Sequence, residues 1–361
     1  MLTVTNLSRR WTVTAIRWLI SLMMVSSALS ACDSGTESTP EATTPADANA
    51  LFGYRTESEI GVVRGDTVAV RVPGYFRAPQ FTSDRKFLFA SSLKNSGQLI
   101  VVDVSNNKVD TRALPSGATA ASSGSSIIWW QEPDQLMTID LSNPASTPSV
   151  KRRINLPAAP EGTHARLISA HGDNVLLARL ERTGGTAMGP DNLYLVRDGA
   201  VTPLGITGGD EPIGEAVVSP DGRFIAYPIS HRQCGHAEVA VIDVQKATTQ
   251  TFPLPGDADT GTSTGVLWIW WAFDNTLHSS FTSRSCLSPS TLTEPFKDPA
   301  IWTLNNGNWQ QEQRGVYQKI AISPTVTALL EPNESGDATL VVQFGNTKTT
   351  ITNKVQYLVA P

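Results

Sequence analysis

The sequence feature that most constrains this chain is a repeat of apolar runs that begins after residue 50. Each unit holds a short run rich in Val, Ile, Leu, Trp and Thr, then a polar turn, then a second apolar run. The units begin at Ala78, Ser125, Ala165, Gly214, Gly265 and Gln318, which is a period of roughly 40 to 50 residues. Helical periodicity is absent from this region, so the pattern predicts β-strands joined by tight turns.

Most units continue with a third and a fourth strand, as in QLIVVDVSNNKVDTRALP and AEVAVIDVQKATTQTFPLP. About four strands at this period are typical of the blades of a β-propeller. Six units are clear. The strands within 59–73 and the lone strand within 354–360 could form a seventh blade and close the ring, whereas an open ring would leave strand edges unpaired. We therefore expect an all-β, seven-bladed β-propeller of four-stranded blades over residues 51–361, with six blades as the alternative.

A short turn in the fourth unit supports this fold. In Ser219-Pro220-Asp221-Gly222, proline presets φ, aspartate can accept bonds from the backbone ahead of it, and glycine can take positive φ. The turn resembles the SPDG turn of TolB-like and WD40-like propeller repeats, and 82–86 and 323–324 are degenerate versions of it. The resemblance implies the fold and a role in protein–protein contact, and it names no partner.

The first 31 residues are typical of an export signal. Three arginines, at positions 9, 10 and 17, supply positive charge, and an apolar run follows from Trp18 to Leu29. That run is shorter than the roughly 20 residues that a membrane-spanning helix requires. We therefore interpret residues 1–31 as a signal peptide that is removed.

The residues that end this leader resemble the lipobox of bacterial lipoproteins, since Leu29-Ser30-Ala31 precedes Cys32. The resemblance implies that a diacylglyceryl group is attached to Cys32 and that the chain is cut before it. Residues 32–50 are rich in Ser, Thr and Pro and hold little to bury, so a disordered tether is predicted there. We expect an exported protein that is lipid-anchored to the cell membrane and faces its extracytoplasmic side.

The charge of the chain excludes one class of partner. The net charge is −5, and it becomes more negative once the three arginines of the leader are removed. Nucleic acid attracts basic surfaces through its phosphates, so we expect none to bind. The partners that we expect are membrane lipid, through Cys32, and a protein of the cell envelope, with the chain itself a monomer.

Two cysteines remain if Cys32 is modified. Cys234 and Cys286 each follow the second strand of a blade, in blades four and five, so they occupy equivalent loops on one face of the predicted ring. In an exported chain an even pair of cysteines favours a disulfide, and neighbouring equivalent loops suit its geometry. The sequence therefore predicts a Cys234–Cys286 bond.

The same face carries three long loops, each between a second and a third strand, at 182–191, 231–236 and 283–298. Long loops clustered on one face are where such a scaffold places recognition. We expect a partner-binding surface there, with ordinary loop variation as the alternative. Its predicted contacts are Arg182, His231, Arg232, His236, Arg284 and Lys297.

Catalysis is not indicated. The GxSxG match at 261–265 lacks the following helix that a nucleophile elbow needs, and His231 and His236 supply two metal ligands where three or four are required. Propeller enzymes gather acidic or histidine residues at the starts of several first strands, and Glu215 is the single acidic residue in those segments. We expect a binding protein without metal or cofactor; the alternatives are a propeller hydrolase or lyase, or a carbohydrate- or solute-binding lipoprotein of the cell wall.

The positions of the tryptophans bear on the alternative that the protein binds a carbohydrate or another solute. They cluster at 129–130 and at 268–271, on segments predicted to be the first strands of blades two and five. Large aromatic side chains there are expected to wedge adjacent blades together. Because neighbours on a strand face opposite ways, one of each pair could instead stack on a ligand in the channel.

Overall fold

A computed structural model describes residues 50–361, apart from Gly117, 159–162, 182–188, Ser230, 232–235, 256–261, 286–298 and 335–336. At 262–263 and 282–285 it describes the backbone alone. The regular elements of this part of the chain are β-strands, which form seven antiparallel sheets of four strands each. Within the described residues, no helix has the length and apolarity that crossing a bilayer would require.

Six blades are continuous in sequence, and each pairs its strands in chain order from the first to the fourth. Blade one comprises β4 (Gln80–Phe81), β5 (Phe87–Ser91), β6 (Gln98–Asp103) and β7 (Lys108–Ala113). Blade two comprises β8 (Ala120–Ser123), β9 (Ser126–Gln131), β10 (Gln135–Asp140) and β11 (Ser149–Arg153). Blade three comprises β12 (Ala165–His171), β13 (Asn174–Leu180), β14 (Asp191–Arg197) and β15 (Ala200–Ile206).

The next three blades repeat this order. Blade four comprises β16 (Val217–Val218), β17 (Phe224–Ile229), β18 (Glu238–Asp243) and β19 (Thr248–Pro253). Blade five comprises β20 (Thr262–Trp271), β21 (Leu277–Ser285), β22 (Ala300–Asn305) and β23 (Asn308–Arg314). Blade six comprises β24 (Gln318–Ala321), β25 (Val326–Pro332), β26 (Ala338–Phe344) and β27 (Thr347–Thr352).

Blade seven joins the two ends of the chain. Its first strand is β28 (Val355–Val359), and its other strands are β1 (Leu51–Thr56), β2 (Glu59–Arg64) and β3 (Thr67–Pro73). Tyr54 lies opposite Leu358 in the pairing of β1 with β28. This pairing confirms the predicted seven-bladed propeller and its closure, and the six-bladed alternative is wrong. The sequence pattern had missed β1, because LFGYRT holds too few alternating apolar positions to stand out.

Blade two corrects one prediction. The segment that begins at Ser125 supplies the second and third strands rather than the first and second, so Trp129 and Trp130 lie on β9. The true first strand is β8, whose sequence is AASS. Its small side chains lack the branched and aromatic residues that mark a strand in sequence, which is why the pattern placed the blade one strand too late.

The hydrophobic core lies between the blades. Trp129 is 1% exposed and packs with Phe87 and Leu99 of blade one, whereas Trp130 points the other way and packs with Val175 of blade three. Because successive side chains of a strand face opposite sides of a sheet, one tryptophan pair fills two neighbouring interfaces. The predicted wedging of blades by tryptophan is therefore confirmed in blade two.

The tryptophans of blade five behave in the same way. Trp270 is buried and stacks on His278 at a ring distance of 5.5 Å, and Trp271 stacks on Phe224 of blade four at 6.0 Å. The Trp271 Nε1 also donates to the Val217 carbonyl oxygen at 3.2 Å. The two contacts of Trp271 join blade five to blade four along the wall of the ring, and the stacking of Trp270 on His278 lies within blade five.

Candidate functional site: the central channel

The first strands of the blades face a common central cavity of about 1290 Å³. Neighbouring first strands contact one another in sequence, as β8 does β12 and β12 does β16. The cavity therefore runs along the axis of the ring. Part of its wall is aromatic, with Trp130, Trp270 and Trp271 among the lining residues.

One end of this channel, which we call the turn end, carries the turns between first and second strands. Ser83 Oγ lies 2.9 Å from Ser122 Oγ, and Ser123 Oγ donates to the Gly172 carbonyl oxygen at 3.1 Å. The Asp221 amide donates to Asn275 Oδ1 at 3.1 Å. These bonds link blade one to two, two to three, and four to five through their turns.

A contact spans the channel at the turn end. The Arg85 guanidinium lies 5.7 Å from the centre of the Phe273 ring. Arg85 belongs to blade one and Phe273 to blade five, which are three blades apart in a ring of seven. This cation–π contact therefore bridges opposite walls rather than neighbouring blades.

The other end, which we call the mouth, is where the first strands begin. Arg55 at the end of β1 and Tyr357 on β28 lie there in blade seven, and Arg77 lies in the segment that enters blade one. Glu215 enters blade four, on the opposite wall. All four residues line the cavity, and Arg77 and Leu93 are also exposed at the surface, so the cavity reaches solvent at the mouth.

The charges at the mouth act on one another across the channel. Burial raises the pKa of the Glu215 carboxyl, and the positive charges of Arg55 and Arg77 lower it in part. Burial also raises the pKa of the Tyr357 hydroxyl, and the negative charge of Glu215 adds to that rise. Glu215 and Arg77 are nonetheless exposed at the surface, so the mouth is open to solvent.

A third arginine at the mouth is neutralised by a buried carboxylate. Arg166 Nη1 and Nη2 donate to Asp191 Oδ1 and Oδ2 at 2.7 and 2.6 Å, and Asp191 is 0% exposed. The Ile213 amide donates to the same carboxylate at 2.7 Å, and Arg166 donates to the Ile213 carbonyl oxygen at 2.9 Å. This network ties blade three to the segment that enters blade four.

A second polar group lies deeper, where blade five meets blade six. His278 Nδ1 is 3.1 Å from Thr303 Oγ1 and 3.3 Å from Glu312 Oε2, and Lys319 donates to Glu312 Oε1 at 3.0 Å. Burial lowers the pKa of His278, and the negative charge of Glu312 offsets part of that effect. Each charge in this group has a partner, so the group holds two blades together.

The strand ends that flank the three predicted recognition loops lie at the mouth. Ala165, at the start of β12, pairs with Arg179 near the end of β13, so the junction of second and third strands is on the face where first strands begin. The same topology holds in blades four and five. The predicted loop face and the mouth of the channel are therefore the same face.

The predicted contact residues are described in part. His231 and His236 are half-buried at this face, and His236 Nδ1 is buried with no hydrogen-bond partner among the described residues. Arg284 lies on the extended strand β21, opposite Ser263, and not in a loop as the sequence suggested. Arg182, Arg232 and Lys297 lie outside the described residues, so their role stays a prediction.

The other sequence-based site predictions also fall outside the structure. Cys32, Cys234 and Cys286 are not among the described residues, so the lipid attachment and the disulfide stay predictions. In the part of the chain that the structure describes, no three His, Cys, Asp or Glu side chains are grouped so that they could hold a metal ion.

Sequence reasoning singled out Glu215 but missed Arg55, Arg77 and Tyr357. Arg55 was missed because β1 was missed. The signal that could have found it is the closure itself, since pairing the C-terminal strand with an N-terminal one brings Tyr357 opposite Arg55. Arg77 stands in an irregular segment between two blades, for which periodicity gives no position.

These features define a seven-bladed β-propeller with a charged channel mouth. No protein-family model and no curated protein matches the sequence. Among solved structures, the chain is similar to the β-propeller domain of Cps50 (Swd1) from Myceliophteria thermophila, at 12% identity and a TM-score of 0.50, covering 80% of this chain and 92% of that one.

Two further structures show lower similarity. TolB from Acinetobacter baumannii matches at 12% identity and a TM-score of 0.43, over 73% of this chain and 64% of that one. Hydrazine synthase of Kuenenia stuttgartiensis matches at 12% identity and a TM-score of 0.48, over 73% and 76%. At such identities a likeness establishes the fold alone, and function must be argued from the site.

Proposed function

We propose that this chain is a lipid-anchored, extracytoplasmic binding module that holds a protein partner of the cell envelope against the mouth of its channel. One observation carries the binding part of the proposal: the mouth face combines exposed apolar side chains with unneutralised charge. Tyr75 and Leu93 are 49% and 58% exposed, and the Leu93 amide donates to the Tyr75 carbonyl oxygen at 2.8 Å. Arg77 lies between them in sequence and is also exposed.

Tyrosine and arginine are among the residue types that contribute most binding energy at protein interfaces. The strand ends that flank the predicted recognition loops surround the same face. The anchor supports this assignment from the sequence side, because a tether at Cys32 would keep the module at the membrane.

The binding part is tested by co-purification from detergent-solubilised membranes. Tyr75→Asp should reduce recovery of the partner about tenfold or more, because it places a charge at the centre of the apolar surface. Val109→Asp is the matched control, since Val109 is 42% exposed on the outer strand of blade one. Equal recovery with both variants would remove the mouth face from the proposal.

The anchor is tested separately by growing cells with labelled palmitate. The wild-type chain should incorporate the label, and Cys32→Ser should not, since serine offers no thiol to alkylate. Label on the Cys32→Ser chain, or none on the wild type, would contradict the anchor and leave the binding surface untouched.

A second function, capture of a solute in the channel, is favoured by the volume of the cavity and by its tryptophan lining. At about 1290 Å³ the cavity is larger than the roughly 300–1,000 Å³ of a typical small-molecule site, so a solute has room to enter it. In the first function a protein partner binds at the mouth, and in the second a solute passes through the mouth into the channel. The chemistry of the mouth residues bears on which of the two ligands binds.

A further inference from the structure

The mouth of the channel sets charges of opposite sign on facing walls. Arg55 and Tyr357 belong to blade seven and Arg77 enters blade one, so these three share one side of the ring. Glu215 enters blade four, three blades away from both. The gap between them is part of the central cavity, so these groups face open space rather than one another's hydrogen-bonding atoms.

The positive charges at the mouth lie together on one side of it. Arg55 Nη1 donates to the Phe76 carbonyl oxygen at 3.2 Å, but its Nε is buried and has no partner among the described residues. Within the same part of the chain, no hydrogen bond or ion pair joins Arg77 or Glu215 to another side chain. A further carboxylate, that of Glu132 in blade two, lines the cavity and accepts a hydrogen bond from the Ala165 amide. Two guanidinium groups of blades seven and one are therefore side by side with no carboxylate of the described residues bonded to either.

Arg166, at the same end of the channel, is an arginine whose guanidinium group does have hydrogen-bond acceptors. Its guanidinium is held by both oxygens of Asp191 and by a carbonyl oxygen. A guanidinium group is stabilised by a planar acid that accepts two parallel hydrogen bonds. Arg55 and Arg77 lack such an acid, so the mouth is complementary to one that arrives from outside.

Two buried polar atoms along the cavity also lack partners. Gln318 is 2% exposed and Ser169 is 5% exposed, and both residues line the channel. Gln318 Oε1 and Ser169 Oγ make no hydrogen bond within the described residues. Buried polar atoms without partners cost free energy, and a polar ligand or ordered water in the cavity would remove that cost.

We propose that the mouth binds a carboxylate that carries a hydrogen-bond donor beside it. The carboxylate would lie between Arg55 and Arg77, and the donor, a hydroxyl, amide or ammonium group, would face Glu215. This inference rests on the proposed binding function and specifies the chemical group that the mouth recognises. The carboxylate could belong to an acidic segment of the protein partner or to a small free acid, and the two sources are separable.

The test uses the full chain in detergent and two probes, each with a neutral counterpart. The first probe is the peptide acetyl-Glu-Ser-Glu-Ser-amide, compared with acetyl-Gln-Ser-Gln-Ser-amide. The second is malate, compared with its diamide. Titration calorimetry should show at least one acid binding while its neutral counterpart does not. Binding of the peptide alone assigns the carboxylate to a protein segment, and binding of malate alone assigns it to a free acid.

Variants then locate the site. Arg77→Gln should weaken binding of the acid about tenfold or more, which corresponds to the loss of one charge-assisted hydrogen bond. Arg77 has no side-chain partner in the described structure, so the variant should fold. Arg85→Gln is the matched control, because Arg85 lies over Phe273 at the turn end of the same channel. The affinity of this variant for the acid should equal that of the wild type.

The role of Glu215 gives a readout of its own. Succinate lacks the hydroxyl of malate, so the wild type should prefer malate, and Glu215→Ala should lose that preference because alanine offers no oxygen to accept from the hydroxyl. The proposal is overturned if neither acid binds, or if Arg77→Gln binds as the wild type does. In that event, co-purification that is still sensitive to Tyr75→Asp would show that the partner function stands without the carboxylate site.

Discussion

At the scale of single residues, Asp191 illustrates how burial decides the value of an ion pair. Its side chain is fully buried and accepts bonds from Arg166 and from the Ile213 amide, and its own amide donates to Thr207 Oγ1 at 3.0 Å. By contrast, Asp134 pairs with Arg153 at 2.9 Å, but the Arg153 side chain is 63% exposed. Similar distances therefore occur in very different surroundings.

Asp191→Ala should destabilise the fold by about 3–5 kcal/mol, because it leaves a partly buried guanidinium and a buried amide without acceptors. Asp134→Ala should cost less than about 1 kcal/mol, since an exposed pair is well hydrated when broken. Urea denaturation of both variants measures the two free energies of unfolding. Equal losses would mean that the Asp191 network does not join blades three and four as described.

His278 makes stability depend on pH. Burial, with its ring stacked on Trp270, lowers the pKa of His278 in the folded state. As the pH falls, the unfolded chain therefore binds a proton at this histidine before the folded chain does. Stability should therefore fall as pH drops below about 6.5, the ordinary value for histidine, towards the lowered value. His278→Gln should lose less stability than the wild type between about pH 7.5 and 5.5, measured by urea denaturation. An equal loss in both proteins would contradict the assignment.

At the scale of elements, the turn between first and second strands shows what could be read from the sequence. Ser219 Oγ donates to Asp221 Oδ1 at 2.6 Å, the Arg223 amide donates to the same oxygen at 3.0 Å, and Gly222 has a φ of 69°. The bond from the Arg223 amide and the positive φ of Gly222 follow from the residue types, as predicted. Arg85 and Asn275 take the same left-handed conformation at the equivalent positions of blades one and five, which no sequence rule would have favoured for arginine.

This turn of blade four also packs against blade three, and the contact predicts the effect of placing a methyl group on Gly222. A Cβ on Gly222 would lie 2.2 Å from the His171 ring of blade three, whereas a Cβ on Gly124, at a φ of 64°, would meet nothing within 4 Å. Both alanine variants should cost about 1–2 kcal/mol for the left-handed backbone, and Gly222→Ala should cost more. Thermal unfolding checks the difference.

His171→Ala in the Gly222→Ala background should remove the excess cost, because it removes the ring that the new methyl group meets. Equal costs for the two glycine variants would contradict the close contact between blades three and four.

At the scale of the whole molecule, the sequence predicted the architecture better than the site. Periodicity predicted the blades, because each blade is encoded locally. The mouth was not predictable in the same way, since Arg55, Arg77 and Glu215 come together only when the ring closes through β1 and β28. The missed strand β1 and the small side chains of β8 were the two places where local pattern failed.

Ring closure yields a prediction of its own. Leu358 on β28 is 2% exposed and packs in the core shared with Phe52 of β1. Leu358→Ala should cost about 2–5 kcal/mol, as deletion of a buried leucine side chain does. Gln356→Ala on the same strand, at an exposed position, should change stability by less than about 0.5 kcal/mol. Denaturant titration of both variants measures the contribution of the closing strand.

The central claim is that a closed seven-bladed ring binds its partner at the mouth of its channel. Its most direct test is photo-crosslinking in living cells, with p-benzoylphenylalanine at Leu93 on the mouth face or at Val150 on the outer strand of blade two. Both positions are exposed and apolar, at 58% and 46%, so they differ mainly in location. A partner held at the mouth should crosslink to Leu93 and not to Val150. A partner captured from Val150 alone, or equally from both positions, would mean that binding does not occur at the mouth.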